Sequence, residues 1–214
     1  EQASAPLPHT WARFKGFYAF GQETLLTYDL NGSAVFDLPS TEKISDFSQA
    51  FVRNMQVAKL KMPYRQVLLE SVSPAKINGS IAHVTTDDQT LLVGIKSTSK
   101  LKFTSEKLAS GHYALLVSLP AHTALNYKII FSLSSEDEPF KTHLEKSMLK
   151  QANDFEKMTL GGEKRWKQKM STQGQVNKDS TQTFAVDEIT LPVENPWQSW
   201  MRPAAFDFFD NGKS

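Results

Sequence analysis

Five histidines, His9, His83, His112, His122 and His143, are where metal or proton chemistry would first be sought in this sequence. None forms an H-x-H, H-x-x-x-H or H-E-x-x-H pair, so the local spacings that hold a zinc ion are absent. His83 and His112 fall in predicted strands and would act together only if a sheet brought them side by side; otherwise they are surface or hydrogen-bonded core histidines. No G-x-S-x-G elbow, phosphate loop or G-x-G-x-x-G occurs, which removes the usual signatures of acyl transfer, nucleotide hydrolysis and dinucleotide binding. A glycan-active enzyme needs only two carboxylates held apart by the fold. The candidates Asp29, Asp37, Glu70 and Asp87 each stand beside a turn or strand end, where acidic residues serve as solvated turn formers. Asp207-Phe208-Phe209-Asp210-Asn211-Gly212 departs from a calcium loop, because Phe209 stands where an oxygen donor belongs and no Glu follows at the required distance. A β-turn at Asp210-Asn211-Gly212 accounts for it.

Aromatic rings are the remaining handle. The candidate interface or ligand-stacking residues are Trp11, Trp166, Trp197, Trp200, Phe206 and Phe208. The four tryptophans either form a stacking platform for sugar rings, or divide into core anchors (Trp11, Trp166) and rings buried against a neighbouring domain. The tail beyond Pro192 concentrates Trp197, Trp200, Phe206, Phe208 and Phe209, more aromatic surface than a solvated terminus holds, so it is expected to pack on something. Asn31-Gly32-Ser33 and Asn78-Gly79-Ser80 match glycosylation acceptors in form, but both coincide with tight turns.

These side chains must be positioned by strands. Leu26, Tyr28 and Leu30 alternate along Thr24 to Leu30, Asn31-Gly32 supplies the positive-φ pair of a type I′ turn, and Ser33 to Leu38 returns. Asn78-Gly79, Thr86-Asp87-Asp88 and Ser110-Gly111 punctuate further β-prone runs at Ile81 to Val84, Thr90 to Ile95 and Tyr113 to Leu119, with another at Asn126 to Leu133. About nine or ten strands at this spacing predict a mainly β fold, an antiparallel β-sandwich. Phe140, Leu144, Met148, Ala152, Phe155 and Met158 then recur at spacings of four and three. With Ser135 and Glu138 as a capping box and Gly161-Gly162 as a stop, they predict one long amphipathic helix over 136–160, docked on a sheet. Residues 164–180 read as a polar loop and Thr183 to Leu191 as one more strand. The division expected is a β-sandwich domain over 1–192, including the docked helix, and an aromatic-rich segment over 193–214 leading toward a following domain.

Composition closes several function classes. The 214 residues carry 24 Lys+Arg against 23 Asp+Glu, a balance that argues against a nucleic-acid binder. No apolar run reaches the length of a membrane-spanning helix. With no cysteine there are no disulfides, thiol nucleophiles, Cys-ligated zinc, iron–sulfur clusters or C-x-x-C-H haem attachment. The chain opens on Glu1 without an initiator Met, as expected of a processed export precursor or a piece of a longer polypeptide.

Two blocks add context. Near the start stand Pro6-Leu7-Pro8-His9-Thr10-Trp11-Ala12-Arg13-Phe14-Lys15-Gly16-Phe17-Tyr18, Gly21 and Leu25-Leu26-Thr27-Tyr28. Near the end stand Gly161-Gly162-Glu163-Lys164-Arg165-Trp166, Asp187-Glu188-Ile189-Thr190-Leu191-Pro192, Glu194-Asn195-Pro196-Trp197-Gln198-Ser199-Trp200, and Phe206-Asp207-Phe208-Phe209 with Gly212. This resembles the β-rich region of unassigned function that precedes a sorbosone/glucose dehydrogenase-like β-propeller in large secreted multidomain bacterial proteins, many with a c-type cytochrome domain. The resemblance implies a periplasmic or secreted location and a β-propeller or cytochrome partner. It carries no catalytic residues to transfer, and this chain ends at Ser214, where the propeller would begin.

The functional expectation is a non-catalytic accessory module, not an enzyme on its own, that supports or docks a propeller or redox partner. The alternatives are a carbohydrate-binding module that recognises polysaccharide, and a glycan-active enzyme with a carboxylate pair. No cofactor or metal is expected, so EDTA should leave the thermal midpoint unchanged; a fall of several degrees in a calorimetric scan would reveal a structural ion.

Overall fold

The Asn31-Gly32 turn is built as its sequence dictates: Asn31 (φ 50°) and Gly32 (φ 84°) both take positive φ, and Leu30 pairs with Ser33 across them. The computed structural model describes residues 11–45, 48–85, 89–133, 137–163, 167–177, 181, 184 and 186–200. They contain eleven strands and two helices in two compact units, residues 1–163 and 164–214. The strands are β1 (Ala12–Phe20), β2 (Glu23–Leu30), β3 (Ser33–Ser45), β4 (Ser48–Val57), β5 (Tyr64–Ser71), β6 (Lys76–Asn78), β7 (Ile81–Thr85), β8 (Thr90–Ser97), β9 (Phe103–Lys107), β10 (Tyr113–Leu119) and β11 (Leu125–Leu133). They form an eight-stranded sheet in the order β1-β2-β3-β4-β11-β8-β7-β6 and a three-stranded sheet β5-β10-β9. Every pairing is antiparallel.

Side-chain alternation divides the large sheet into two faces. Val35, Met55, Val57, Ala82, Val84, Val93, Ile95, Tyr127 and Ile129 look toward the small sheet and share one core with its Phe103, Leu115, Val117 and Leu119. The opposite face carries two separate apolar patches. Ala50, Val52, Leu92 and Ile130 receive Phe140 and Leu144 of helix α1 (Asp137–Lys146). Leu25 and Leu38 receive Phe155 and Met158 of helix α2 (Ala152–Thr159). Gly94 lies under α1, where a Cβ would stand 3.1 Å from both Phe140 and Leu144; the missing side chain lets the helix sit close.

The single long helix expected over 136–160 is two short ones, and Met148, expected in the buried stripe, is 81% exposed between them. The cause lies in the sheet. Between the two apolar patches runs a polar row, Ser40, Asn54 and Lys128, on neighbouring strands. A continuous helix would press an apolar stripe onto it. The chain instead closes α1 at Lys96, whose Nζ donates to the Glu145 carbonyl at 2.6 Å and the Leu144 carbonyl at 3.4 Å. Asn126 Nδ2 holds the linker through the Lys150 carbonyl. Helix α2 restarts from a reciprocal cap, in which the Gln151 amide donates to Asp154 Oδ2 at 2.9 Å. Gly161 (φ 79°) ends it, with its amide donating to the Met158 carbonyl.

In the second unit, the run expected as a strand at Thr183 to Leu191 shows, among its described residues, one isolated antiparallel bridge, Gln175 with Glu188. The Ser135 cap, the Thr86-Asp87-Asp88 turn and the Asp210-Asn211-Gly212 turn lie outside the described residues.

Phe155 is fully buried and Met148 is not, so the two report on the helix break. Phe155→Ala should cost about 3–5 kcal/mol in urea unfolding, whereas Met148→Ala should change stability by no more than about 0.5 kcal/mol. A large loss at Met148 would mean the stripe is continuous after all.

Candidate functional site

Strands β1 and β2 carry the large sheet to its edge. Phe14 pairs with Tyr28 and Phe17 with Leu26, so these four side chains project from the same face as the shared core. Phe14 is nevertheless 56% exposed and Phe17 65% exposed. The Phe14 and Tyr28 rings lean together at 5.5 Å between centroids, tilted by 57°. Where this aromatic shelf meets the start of β5 and the end of β10 there is a cleft of about 410 Å³, walled by Phe14, Tyr28, Leu30, Met55, Tyr64 and Leu119.

Three polar side chains, Arg53, Gln66 and Tyr127, also line this apolar cleft, and Asp37 stands behind Arg53. Asp37 on β3 is 2% exposed and holds Arg53 of β4 through its Nε (3.2 Å) and Nη2 (2.5 Å). Beside them the buried Tyr127 hydroxyl donates to Gln66 Oε1 at 2.7 Å. Burial works against the charge on Arg53, but the hydrogen bond and charge of Asp37, helped by Tyr127 and Tyr28, outweigh it, so the guanidinium pKa lies above its ordinary value. Burial, reinforced by Asp37 and opposed by Arg53, pushes the Tyr127 hydroxyl upward. Tyr28 shifts the same way for the same reasons. The cleft therefore presents a fixed cation, neutral phenols and an amide against an apolar wall.

A second polar cluster sits on the helix-covered face. Lys128, with 5% of its side chain exposed, donates to Glu42 Oε1 at 2.7 Å, and His143 Nε2 of α1 lies 3.0 Å from Glu42 Oε2. This carboxylate ties β3, β11 and α1 together.

The residues singled out in the sequence fall elsewhere. Trp11, expected as a core anchor or stacking ring, is 61% exposed just before β1. In the second unit Trp197 is half-buried, its indole N–H donating to Gln168 Oε1 at 3.3 Å, and Trp200 is largely exposed. Trp166, Phe206 and Phe208 lie outside the described residues. His83, on β7 of the large sheet, stands 3.5 Å from Asp137, while His112 precedes β10 of the small one, so they share no sheet. Among the described residues no three His, Asp or Glu side chains converge as metal ligands. Asp29 is the turn former expected, accepting from the Gly32 amide at 2.9 Å. Asp37 is not; it is a buried ion-pair partner in mid-strand. Arg53, Phe14, Tyr28 and Gln66 were missed. The available signal was a lone acid inside Val35-Phe36-Asp37-Leu38 and a lone base inside Phe51-Val52-Arg53, charges set where strands bury their side chains.

Residues 1–37 match a family described as a domain of unknown function (DUF6797). The described part of that stretch is β1, β2 and the first residues of β3, which carry the aromatic shelf and Asp37. No curated protein and no solved structure matches the chain.

The upward shift at Tyr127 carries a stability consequence with a definite sign. The folded state holds the phenolic proton more tightly than the unfolded chain does, so this contribution is complete below about pH 10 and is lost as pH rises beyond it. Tyr127→Phe should cost about 1 kcal/mol at neutral pH through the lost Gln66 bond and flatten the decline above about pH 10. Urea titrations from neutral to strongly alkaline pH measure both; equal alkaline slopes in the two proteins would assign the decline to other groups.

Proposed function

We propose that this chain is a non-catalytic β-sandwich module of an exported multidomain protein, and that it docks a β-propeller or redox partner domain through the aromatic shelf of β1 and β2. The observation that carries this reading is the exposure of Phe14 and Phe17 on the face of the sheet that elsewhere forms the shared core. Large rings on a core-side face are a surface that association would bury, at roughly 1.5–3 kcal/mol for each ring removed from water. The exported setting and the nature of the partner rest on the resemblance of the chain's two ends to regions that precede propeller domains.

Docking by the face rather than the edge fits the chemistry of β1. Its outer edge carries a register shift at Lys15, Gly16 with φ 132°, and the exposed charges of Arg13 and Lys15. These features discourage another strand from adding there.

A photo-crosslinking amino acid placed at Phe17, with Val67 on the exposed side of β5 as the control position, tests the reading in the polypeptide as the cell secretes it. Docking requires cross-links from position 17 and none from 67 to a propeller or redox domain. Phe14→Ser with Phe17→Ser should abolish partner association while changing the module's own stability by about 1 kcal/mol or less. Glycan-array binding without such cross-links would instead make this a carbohydrate-binding module, and release of reducing sugar would make it an enzyme.

A further inference from the structure

We propose that the cleft beside Arg53 is a binding site for an uncharged small molecule with an apolar body and a single hydrogen-bond-accepting oxygen. This goes beyond docking at the shelf, since it concerns the polar end of the cleft at Arg53, Gln66 and Tyr127, with Phe14 the ring common to both. The first argument is energetic. Asp37 is buried and the Arg53 side chain is 26% exposed; an ion pair so placed is weak as a stabilising device, because desolvation offsets much of the attraction, and well-packed apolar residues serve a core at least as well. Asp37 and Arg53 nonetheless stand on the core side of β3 and β4 among Val35, Met55 and Tyr127. What the pair achieves is position: the carboxylate takes Nε and Nη2 of the guanidinium and fixes its plane.

The donor count gives the ligand its chemistry. Asp37 engages Nε and Nη2, which leaves Nη1 of Arg53 without a hydrogen bond among the described residues. Gln66 uses its oxygen for the Tyr127 hydroxyl, which leaves its NH₂ in the same condition. Arg53, Gln66 and Tyr127 all line the cleft, so its polar end offers spare donors and asks for an acceptor. The charge is already balanced by Asp37, so a carboxylate would bring a second desolvated negative charge beside the first. A pure hydrocarbon would displace water and leave the donors unmade, and each such loss is costly. A sugar ring, with hydroxyls on every side, would turn most of them against Leu30, Met55 and Leu119. One ketone, ether or hydroxyl oxygen on an apolar body satisfies both ends, and about 410 Å³ accommodates such a molecule.

Three probes of similar shape separate these chemistries: acetophenone, benzoate and ethylbenzene. Each is titrated against the full chain by ligand-observed saturation-transfer NMR, with the Arg53 Nε–H resonance followed in parallel. Acetophenone should bind about tenfold more tightly than either of the others, as one charge-assisted hydrogen bond warrants. Asp37→Leu combined with Arg53→Met replaces the pair with apolar volume, and unfolding curves check that the fold survives. In that protein ethylbenzene should equal or exceed acetophenone. Gln66→Met, on a different strand, should weaken acetophenone several-fold by itself and reads out even if the double variant fails to fold. Phe17→Ser, outside the cleft, should leave acetophenone binding unchanged while weakening association with the partner domain, so failure of the site and failure of the docking face are distinguishable. Tightest binding by benzoate, binding by none of the three, or a preference that survives in the folded variants would overturn the proposal.

Discussion

The large sheet is wider than anything that covers it, and the rest of the architecture follows from that mismatch. Eight strands present two faces, and their central members are apolar on both: β11 is buried along most of its length, its core-side Tyr127 and Ile129 alternating with Ile130 on the helix side. A sheet buried on both faces needs three layers. Three short strands close one face and two short helices the other. Neither layer is broad enough to reach everywhere. On the core side the shortfall falls at β1 and β2, where Phe14 and Phe17 remain in water and a cleft opens beside Tyr64. The candidate site is thus the uncovered margin of the core, lined by residues of the same character as the core itself.

On the opposite face the same shortfall is met by charge. Lys128 sits between the two apolar patches, and a buried ammonium without a partner would be expensive. Glu42 supplies the partner and also reaches His143 on α1, so satisfying the lysine and seating the helix are one event. Lys96, the cross-strand neighbour of Lys128, caps the end of the same helix. The polar row therefore both breaks the helical segment and anchors the broken end. Asn54 Oδ1 and Ser132 Oγ, buried without a hydrogen-bond partner among the described residues, mark where this arrangement is least complete.

What was legible in the sequence were features set by neighbours in the chain. Asn31-Gly32 admits one kind of turn, and alternation through Leu26, Tyr28 and Leu30 announces a strand whatever lies across from it. The helix stripe misled because periodicity records which side chains are apolar, not whether the surface awaiting them is continuous; the interruption at Met148 is caused by Lys128 and Asn54, far away in sequence. The Arg53–Asp37 pair was hidden for a related reason. Register sets Asp37 opposite Met55, which makes Arg53 its diagonal neighbour two residues along, and register is not written in either strand alone. The tryptophans are the sequence's candidate stacking rings, yet Trp11 is solvent-facing while the cleft is built from Phe14, Tyr28 and Tyr64. Ring size is a poor guide to a site when a margin of the core provides the rings.

The shelf and the cleft are physically joined, because Phe14 belongs to both at once. It leans on Tyr28, which lines the cleft as well, so a molecule seated against Tyr28 constrains the ring that a docking partner would touch. Were two ligands to share this ring, whatever free energy one spent or recovered in placing Phe14 would appear in the affinity of the other, and in equal measure both ways. The sign follows from the ring's two roles. A ligand that presses Phe14 outward raises the shelf and favours docking, whereas one that draws it over the cleft lowers the shelf and opposes it. Phe17 stands on the same face but outside the cleft and carries no such coupling. The asymmetry between these two phenylalanines, both exposed and both on β1, is that Phe14 alone is shared between the shelf and the wall of the cleft.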